Sequence, residues 1–232
     1  MSALVFPVPT WPTLPIEGDG RIPIARIFCV GRNYEAHATE MGTEVDREAP
    51  FWFTKSPHAV VESGVTVPYP PGTADYHHEI ELVAILGQGG FKVRAARANN
   101  LIFGYAAGLD MTRRDLQQAA RGKGRPWDTG KDFEQSAVLG TIAPASRISH
   151  PAKGRIVLRV NGEMRQQADL AELAWKVPEL IAHLSTLYHL QPGDVIMTGT
   201  PSGVGAVQPG DRLEGEVEGV GRVMLNVGPA EG

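Results

Sequence analysis

The sequence predicts a single β-rich α+β domain with a few short helices and one longer helix. Three observations predict it. Glycine (27) and proline (18) are spread along the 232 residues rather than pooled, which cuts the chain into short segments joined by turns. Short apolar runs that close on glycine recur, as at residues 27–31 and 79–87. Only one stretch, near residue 180, keeps an apolar stripe at helical spacing. At 42% hydrophobic and 21% charged the composition is that of a globular protein. A chain of this length buries roughly 70% of its unfolded surface and needs no disulfide.

Taken in order, residues 1–25 read as an extended, proline-rich arm with one or two short strands, and residues 26–232 as the folded domain. Residues 27–31 form an apolar strand. Residues 34–41 form a short helix stopped by Gly42. Residues 51–54 and 64–68 are further short strands, and residues 79–86 are the clearest strand of all. Another follows at 102–109. Residues 155–160 lead into Asn161-Gly162, a pair that favours a type I′ hairpin turn. The longer helix spans 177–189, with Pro178 in its first turn and Leu180, Ile181, Leu184, Leu187 and Tyr188 on one face. A Leu190-Gln-Pro-Gly-Asp194 turn then enters a strand at 195–198, and residues 211–227 alternate in short β segments. No internal repeat, linker or low-complexity segment interrupts the domain.

Charge and cysteine content narrow the partners. The net charge is −4, from 22 basic and 26 acidic residues. The densest basic patch, Arg113 to Arg125, is too short to track a phosphate backbone, so no nucleic-acid partner is expected. Cys29 is the only cysteine, which forbids an intrachain disulfide and suits a reducing compartment. The N-terminus lacks a basic stretch and is broken by prolines, unlike a signal peptide. No apolar run approaches the ~18 residues of a membrane span. A cytoplasmic protein with no membrane partner is expected.

Glu79-Ile80-Glu81 places two carboxylates inside an otherwise apolar strand. Strand side chains alternate, so Glu79 and Glu81 share one face. Two buried, unpaired carboxylates would cost several kcal/mol. A divalent cation resolves the conflict, and oxygen-only ligands select Mg²⁺ or Mn²⁺ over zinc. A solvated strand face resolves it equally well. Asp110 ends the next apolar run and offers a third ligand; taken alone it reads as a helix cap. His37 and Glu40 stand three apart on the short helix, either as a surface pair or as a base with its orienting carboxylate. Arg32 can fork onto a substrate carboxylate or serve a structural ion pair. Lys131 follows a glycine-rich stretch and is either ligand-facing or a surface lysine. Residues 198–205, rich in glycine and hydroxyls, can offer backbone N–H groups to an anion but lack the lysine of a phosphate-binding loop.

The ordered set of motifs resembles the fumarylacetoacetate hydrolase family. The matching segments are Gly31-Arg-Asn-Tyr34 with His37, Phe53-Thr-Lys-Ser-Pro57, His78-Glu-Ile-Glu-Leu82, and Gly104-Tyr-Ala-Ala-Gly-Leu-Asp110 with Arg114-Asp-Leu-Gln117. Gly130-Lys131, Val160-Asn-Gly162, Leu190-Gln-Pro-Gly-Asp194 and Thr198-Gly-Thr-Pro-Ser-Gly-Val-Gly205 complete it, over about residues 25 to 225. The resemblance implies a mixed β-roll, a homodimer, one Mg²⁺ or Mn²⁺ per subunit, and C–C bond hydrolysis in a small 2,4-dioxo acid. Oxaloacetate decarboxylation, acylpyruvate hydrolysis and hydroxymuconate-type isomerisation are the alternatives it leaves on the same site. Residue by residue it implies Glu79, Glu81 and Asp110 as metal ligands and His37, Glu40 and Lys131 as catalytic groups. Arg32, Asn33, Tyr34, Lys55 and Thr200 are implied to line the substrate pocket. Two departures from the family pattern, Lys131-Asp-Phe-Glu134 and Thr141 after Gly140, sit beside the lysine.

Overall fold

The computed structural model describes residues 4–8 and 10–231; residues 1–3 and 9 of the expected arm, and residue 232, lie outside them. Two sheets carry the architecture. The larger runs in the order Phe51–Lys55, Arg26–Gly31, Asp194–Met197, Ile80–Leu86, Ile102–Asp110, Ala137–Leu139 and Val60–Glu62, with Ala143–Pro144 also pairing with Ile102–Asp110. The second runs Glu163–Asp169, Arg155–Val160, Arg212–Val217, Gly221–Ala230 and Val65–Tyr69. A small third sheet joins Thr112–Arg113, Tyr76–His78 and Gly205–Ala206. The protein is β-rich with few helices, as expected from its punctuation by glycine and proline.

The Ile80–Leu86 strand explains why the sequence reads as nearly continuous apolar residues there. Every residue in it is buried. Leu82, Ala84 and Leu86 pack with Leu158, Leu213, Val223 and the helical Leu180, Ile181 and Leu184. Val83 and Ile85, on the opposite face, pack with Ile27, Cys29, Val195 and Met197. A strand covered on both faces has no polar side to alternate with. Leu14 and Ile24, in and beside the hairpin of Thr13–Pro15 with Arg21–Pro23, belong to this second cluster and are fully buried. Burial pushes the Cys29 thiol well above its ordinary range, so it packs as an inert apolar residue.

Local signals place most elements within a residue or two. The short helix spans Glu35–Glu40 and the longer one Val177–Leu187. Asn161 and Gly162 both take positive φ (53° and 83°), as a type I′ turn demands. Four described helices escape the apolar-period reading: the single turns Ala95–Ala98, Asp128–Lys131 and Ala145–Ile148, and the longer Arg114–Gly122, whose inward-facing residues are Arg114, Gln117 and Ala120. None of the described helices is long and apolar enough to cross a membrane.

Candidate active site

Sheet register brings the carboxylates together. Glu81 pairs across the ladder with Gly108 on the neighbouring strand. Asp110, two residues further on, therefore shares Glu81's face, and its N–H bonds the Glu79 carbonyl at 2.9 Å. Gly108 leaves this crowded spot free, because a Cβ there would press on Val83 and Leu139. One oxygen from each of Glu79, Glu81 and Asp110 lies within 4.8 Å of the others, and all three residues are buried. The solvated-face alternative for Glu79 and Glu81 is thus excluded: they are 5% and 1% exposed.

Three buried cations answer the three carboxylates. Lys131 Nζ donates to Glu79 Oε2 (2.8 Å), Asp110 Oδ2 (2.7 Å) and Thr112 Oγ1 (2.7 Å). Arg114 donates to Glu79 Oε1 and, at 2.5 Å, to Gln117 Oε1. Lys55 Nζ lies 2.9 Å from Asp110 Oδ1 as an ion pair, yet that oxygen receives no directed hydrogen bond. Burial alone would lift the Glu79 pKa, but Lys131 and Arg114 outweigh it and hold this carboxyl well below the ordinary range. Glu81 has only the Gly199 N–H, at 2.7 Å. Burial, with Asp110 and Glu79 nearby, pushes its carboxyl well above the ordinary range. Burial opposes the charge of Lys131, but Asp110 and Glu79 prevail and raise its pKa.

This donor set fits a hard divalent cation such as Mg²⁺ or Mn²⁺. It offers only carboxylate oxygens. Asp110 Oδ1 lacks a directed donor among the described residues, and burial beside Asp110 and Glu79 disfavours the charged form of Glu81, a cost that a bound cation would offset.

The cavity beside this cluster is lined by Glu79, Lys131, His37, Arg32 and Thr200 from the expected set. His37 Nδ1 sits 3.3 Å from Glu40 Oε2, and Glu40 accepts the Gly203 N–H at 3.0 Å. Burial lowers the His37 pKa, partly countered by Glu79 and Glu40, so its imidazole is neutral near pH 7. Arg32 takes a left-handed backbone (φ 59°) and stands over the Phe51 ring at 5.4 Å. Strain of this kind collects where a side chain must be held in one direction.

Three other expected pocket residues are placed behind the cavity wall. Asn33 spends its amide on backbone: Trp175 N donates to its Oδ1 (2.7 Å), and its Nδ2 donates to Trp175 O (3.0 Å) and Thr198 O (2.8 Å). Lys55 donates to Met111 O, Lys131 O and Ser136 Oγ. The Tyr34 hydroxyl is buried without a hydrogen-bond partner among the described residues, and burial lifts its pKa far above the usual phenol range. Sequence reasoning missed Gln117, Gln118 and Arg121, which line the cavity with Arg114. The signal was present: 114, 117, 118 and 121 follow helical spacing, but the stripe they form is polar. Gly130 seats the short Asp128–Lys131 helix against that stripe, since a Cβ there would strike the Gln117 backbone.

Comparison with known proteins agrees with this geometry. Residues 26–227 match the family model described as fumarylacetoacetate (FAA) hydrolase C-terminal. A fumarylpyruvate hydrolase from Ralstonia sp is 56% identical over 193 residues, 82% of this chain and 100% of that protein. A mitochondrial oxaloacetate tautomerase from Rattus norvegicus is 40% identical over 201 residues, 87% of this chain and 90% of that one. The crystal structure of fumarylpyruvate hydrolase from Pseudomonas aeruginosa in complex with Mn²⁺ and pyruvate superposes with a TM-score of 0.94. It is 46% identical, and the match covers 98% of this chain and 100% of that chain. On fold, on site geometry and on these likenesses, the chain belongs to the fumarylacetoacetate hydrolase family.

Proposed function

We propose that this protein is a metal-dependent hydrolase that cleaves a C–C bond in fumarylpyruvate, a 2,4-dioxo dicarboxylate, to give fumarate and pyruvate. One observation carries the reading: Glu79, a member of the buried carboxylate trio, lines the same cavity as His37, whose Nδ1 sits 3.3 Å from Glu40. The 56% identity to the Ralstonia enzyme supports it, as does the Mn²⁺ and pyruvate in the Pseudomonas structure. The stretches 26–30 and 124–133 also resemble bacterial fumarylpyruvate hydrolases.

Glu79, Glu81 and Asp110 would hold the cation. When bound, it supplies Lewis-acid polarisation of the 2-oxo group and offsets negative charge that develops there. Charge fits the substrate class. With all three ionised, the carboxylates would balance Lys55, Lys131 and Arg114, so a bound dication would add to the positive charge of Arg32 and Arg121 at the cavity wall, which suits a dicarboxylate. His37, with Nδ1 turned to Glu40, presents Nε2 to a water and takes its proton. The water oxygen adds to the distal carbonyl carbon, the C3–C4 bond breaks, and its electron pair passes to the pyruvate carbon, which takes up a proton. Lys131 keeps a positive charge at the cavity wall for the oxyanion or a carboxylate, and Arg32 faces the same space. Asn33, Tyr34 and Lys55 set the frame around these groups, and Thr200 contacts the acid.

The same reading takes residues 26–232 as the catalytic unit and residues 1–25 as an appended arm. It takes the protein to be a cytoplasmic homodimer acting on a small molecule in aromatic-compound breakdown.

The test is turnover by the Mn²⁺-loaded protein of fumarylpyruvate, acylpyruvates and oxaloacetate, with a chelated control. Fumarate and pyruvate in equal amounts, formed only with the metal, are expected. Oxaloacetate tautomerisation without any cleavage of fumarylpyruvate would overturn the reading, and the tautomerase relatives make that outcome worth measuring.

A further inference from the structure

We infer that Gln166 is a positioning residue whose side-chain amide leaves the Thr200 hydroxyl proton free for an oxygen of the acid bound in the cavity. The inference rests on the reading of that cavity as an oxo-acid site.

Gln166 lies on Glu163–Asp169, an edge strand of the second sheet that is otherwise largely exposed. It is 1% exposed, and it is polar. A register shift turns it inward: Leu158 pairs with Gln166 but Arg159 with Met164, so Arg165 is an extra residue. Such bulges re-aim a side chain. Gly203 fits against this one, because a Cβ there would collide with the Arg165 carbonyl.

The turned-in amide has no spare capacity. Its Oε1 accepts the Ile80 N–H (3.1 Å) and faces His78 Nδ1 (3.0 Å). Its Nε2 donates to Pro201 O (2.8 Å) and Thr200 Oγ1 (2.8 Å). Two backbone partners fix which end is which: an N–H can only donate to Oε1, and a carbonyl can only accept from Nε2. The amide therefore donates to Thr200, whose oxygen must accept. A hydroxyl carries one proton, and the Thr200 proton meets no acceptor among the described residues. Thr200 lines the cavity beside Glu79 and Lys131. Its proton is thus available to an oxygen in the cavity, such as that of a bound acid. The same amide ties the Ile80–Leu86 strand, which carries Glu81, to the loop that carries Thr200, so the donor keeps its distance from the carboxylates.

The test is a double-mutant cycle on the full-length, Mn²⁺-loaded protein. Thr200→Val and Gln166→Leu should each lower kcat/KM for fumarylpyruvate about tenfold, mainly through KM, the worth of one hydrogen bond to a charged oxygen. The double variant should be no worse than Thr200→Val alone, because the amide acts through the hydroxyl. Thr200→Ser should keep near wild-type KM, and Mn²⁺ affinity should stay unchanged in the Thr200 variants. Should Gln166→Leu fail to fold, Gln166→Glu carries the test: its carboxylate captures the Thr200 proton and should reproduce the Thr200→Val phenotype. Additive losses in the double variant, or a wild-type KM in either Gln166 variant, would overturn the inference. If the wild-type protein does not cleave fumarylpyruvate, the proposed reaction fails by itself, and the same cycle is read on pyruvate affinity measured by calorimetry.

Discussion

Glu79, Glu81 and Asp110 are delivered at the centre of the larger sheet, by and beside two strands whose neighbours bury them, whereas His37 and Glu40 ride on a six-residue helix outside that sheet. Asp110 is 0% exposed, while the Glu40 side chain is 35% exposed. The carboxylates are placed by ladder register and by packing on both strand faces. The dyad is placed by an i, i+3 spacing and one hydrogen bond from Gly203 to Glu40. Helices this short have little stability of their own. The lesson is a division of labour: the core fixes where a cation would sit, and on the proposed reading a short helix with its inner face buried would present the base to a water.

Breaking the strand side should have the largest effect. Glu81→Gln keeps the shape of the side chain but removes a charge that the cation needs. Turnover should fall by about 10³-fold, the several kcal/mol that a metal contributes to charge stabilisation. Mn²⁺ titration should show the affinity lost while circular dichroism shows the fold kept. Unchanged turnover in Glu81→Gln would remove the trio from the chemistry.

Breaking the helix side should cost less and spare the metal. His37→Asn should slow hydrolysis by about 10²-fold with Mn²⁺ affinity intact. The wild-type pH profile sharpens the same contrast. Burial depresses the His37 pKa below 6.5, so the base stays deprotonated, and kcat/KM holds, as pH falls through 6.5. Activity should drop only when the pH reaches the lowered value. An acid limb at or above pH 6.5 that persists in His37→Asn would assign the base elsewhere.

The smallest effect is expected at the latch between the two regions. Gly203→Ala adds a Cβ at φ +92°, against the Arg165 carbonyl. It should lower stability by about 1–3 kcal/mol in thermal melts and reduce kcat several-fold by loosening Glu40. Mn²⁺ affinity should remain that of the wild type.

The sequence made one region more legible than the other for a physical reason. Period-two alternation alone puts Glu79 and Glu81 on one face, and the end of an apolar run marks Asp110. That the three converge depends on the pairing of Glu81 with Gly108, which is set across the sheet and leaves no local trace. His37 and Glu40 were readable from helical spacing, but their anchor at Gly203 was not. The Arg114–Gly122 helix stayed hidden because its inward stripe is polar, and periodicity arguments look for apolar stripes. Asn33 and Lys55 show what spacing leaves out. Polar residues near a site read as ligand-facing, yet both spend their donors on buried backbone carbonyls. Gln166 depends on a bulge, and one extra residue in an exposed strand has no signature in composition or spacing.

The lone Gly199 N–H that meets Glu81 has a consequence for how the protein is assembled. Without a cation, burial beside Asp110 and Glu79 favours the protonated form of this carboxyl, and a rising pH then works against the native state. An ion held by three carboxylates that only the folded chain brings together would couple loading to folding. The dication is a keystone as well as a reagent: scarcity of metal would thin the folded population before any step of catalysis is reached.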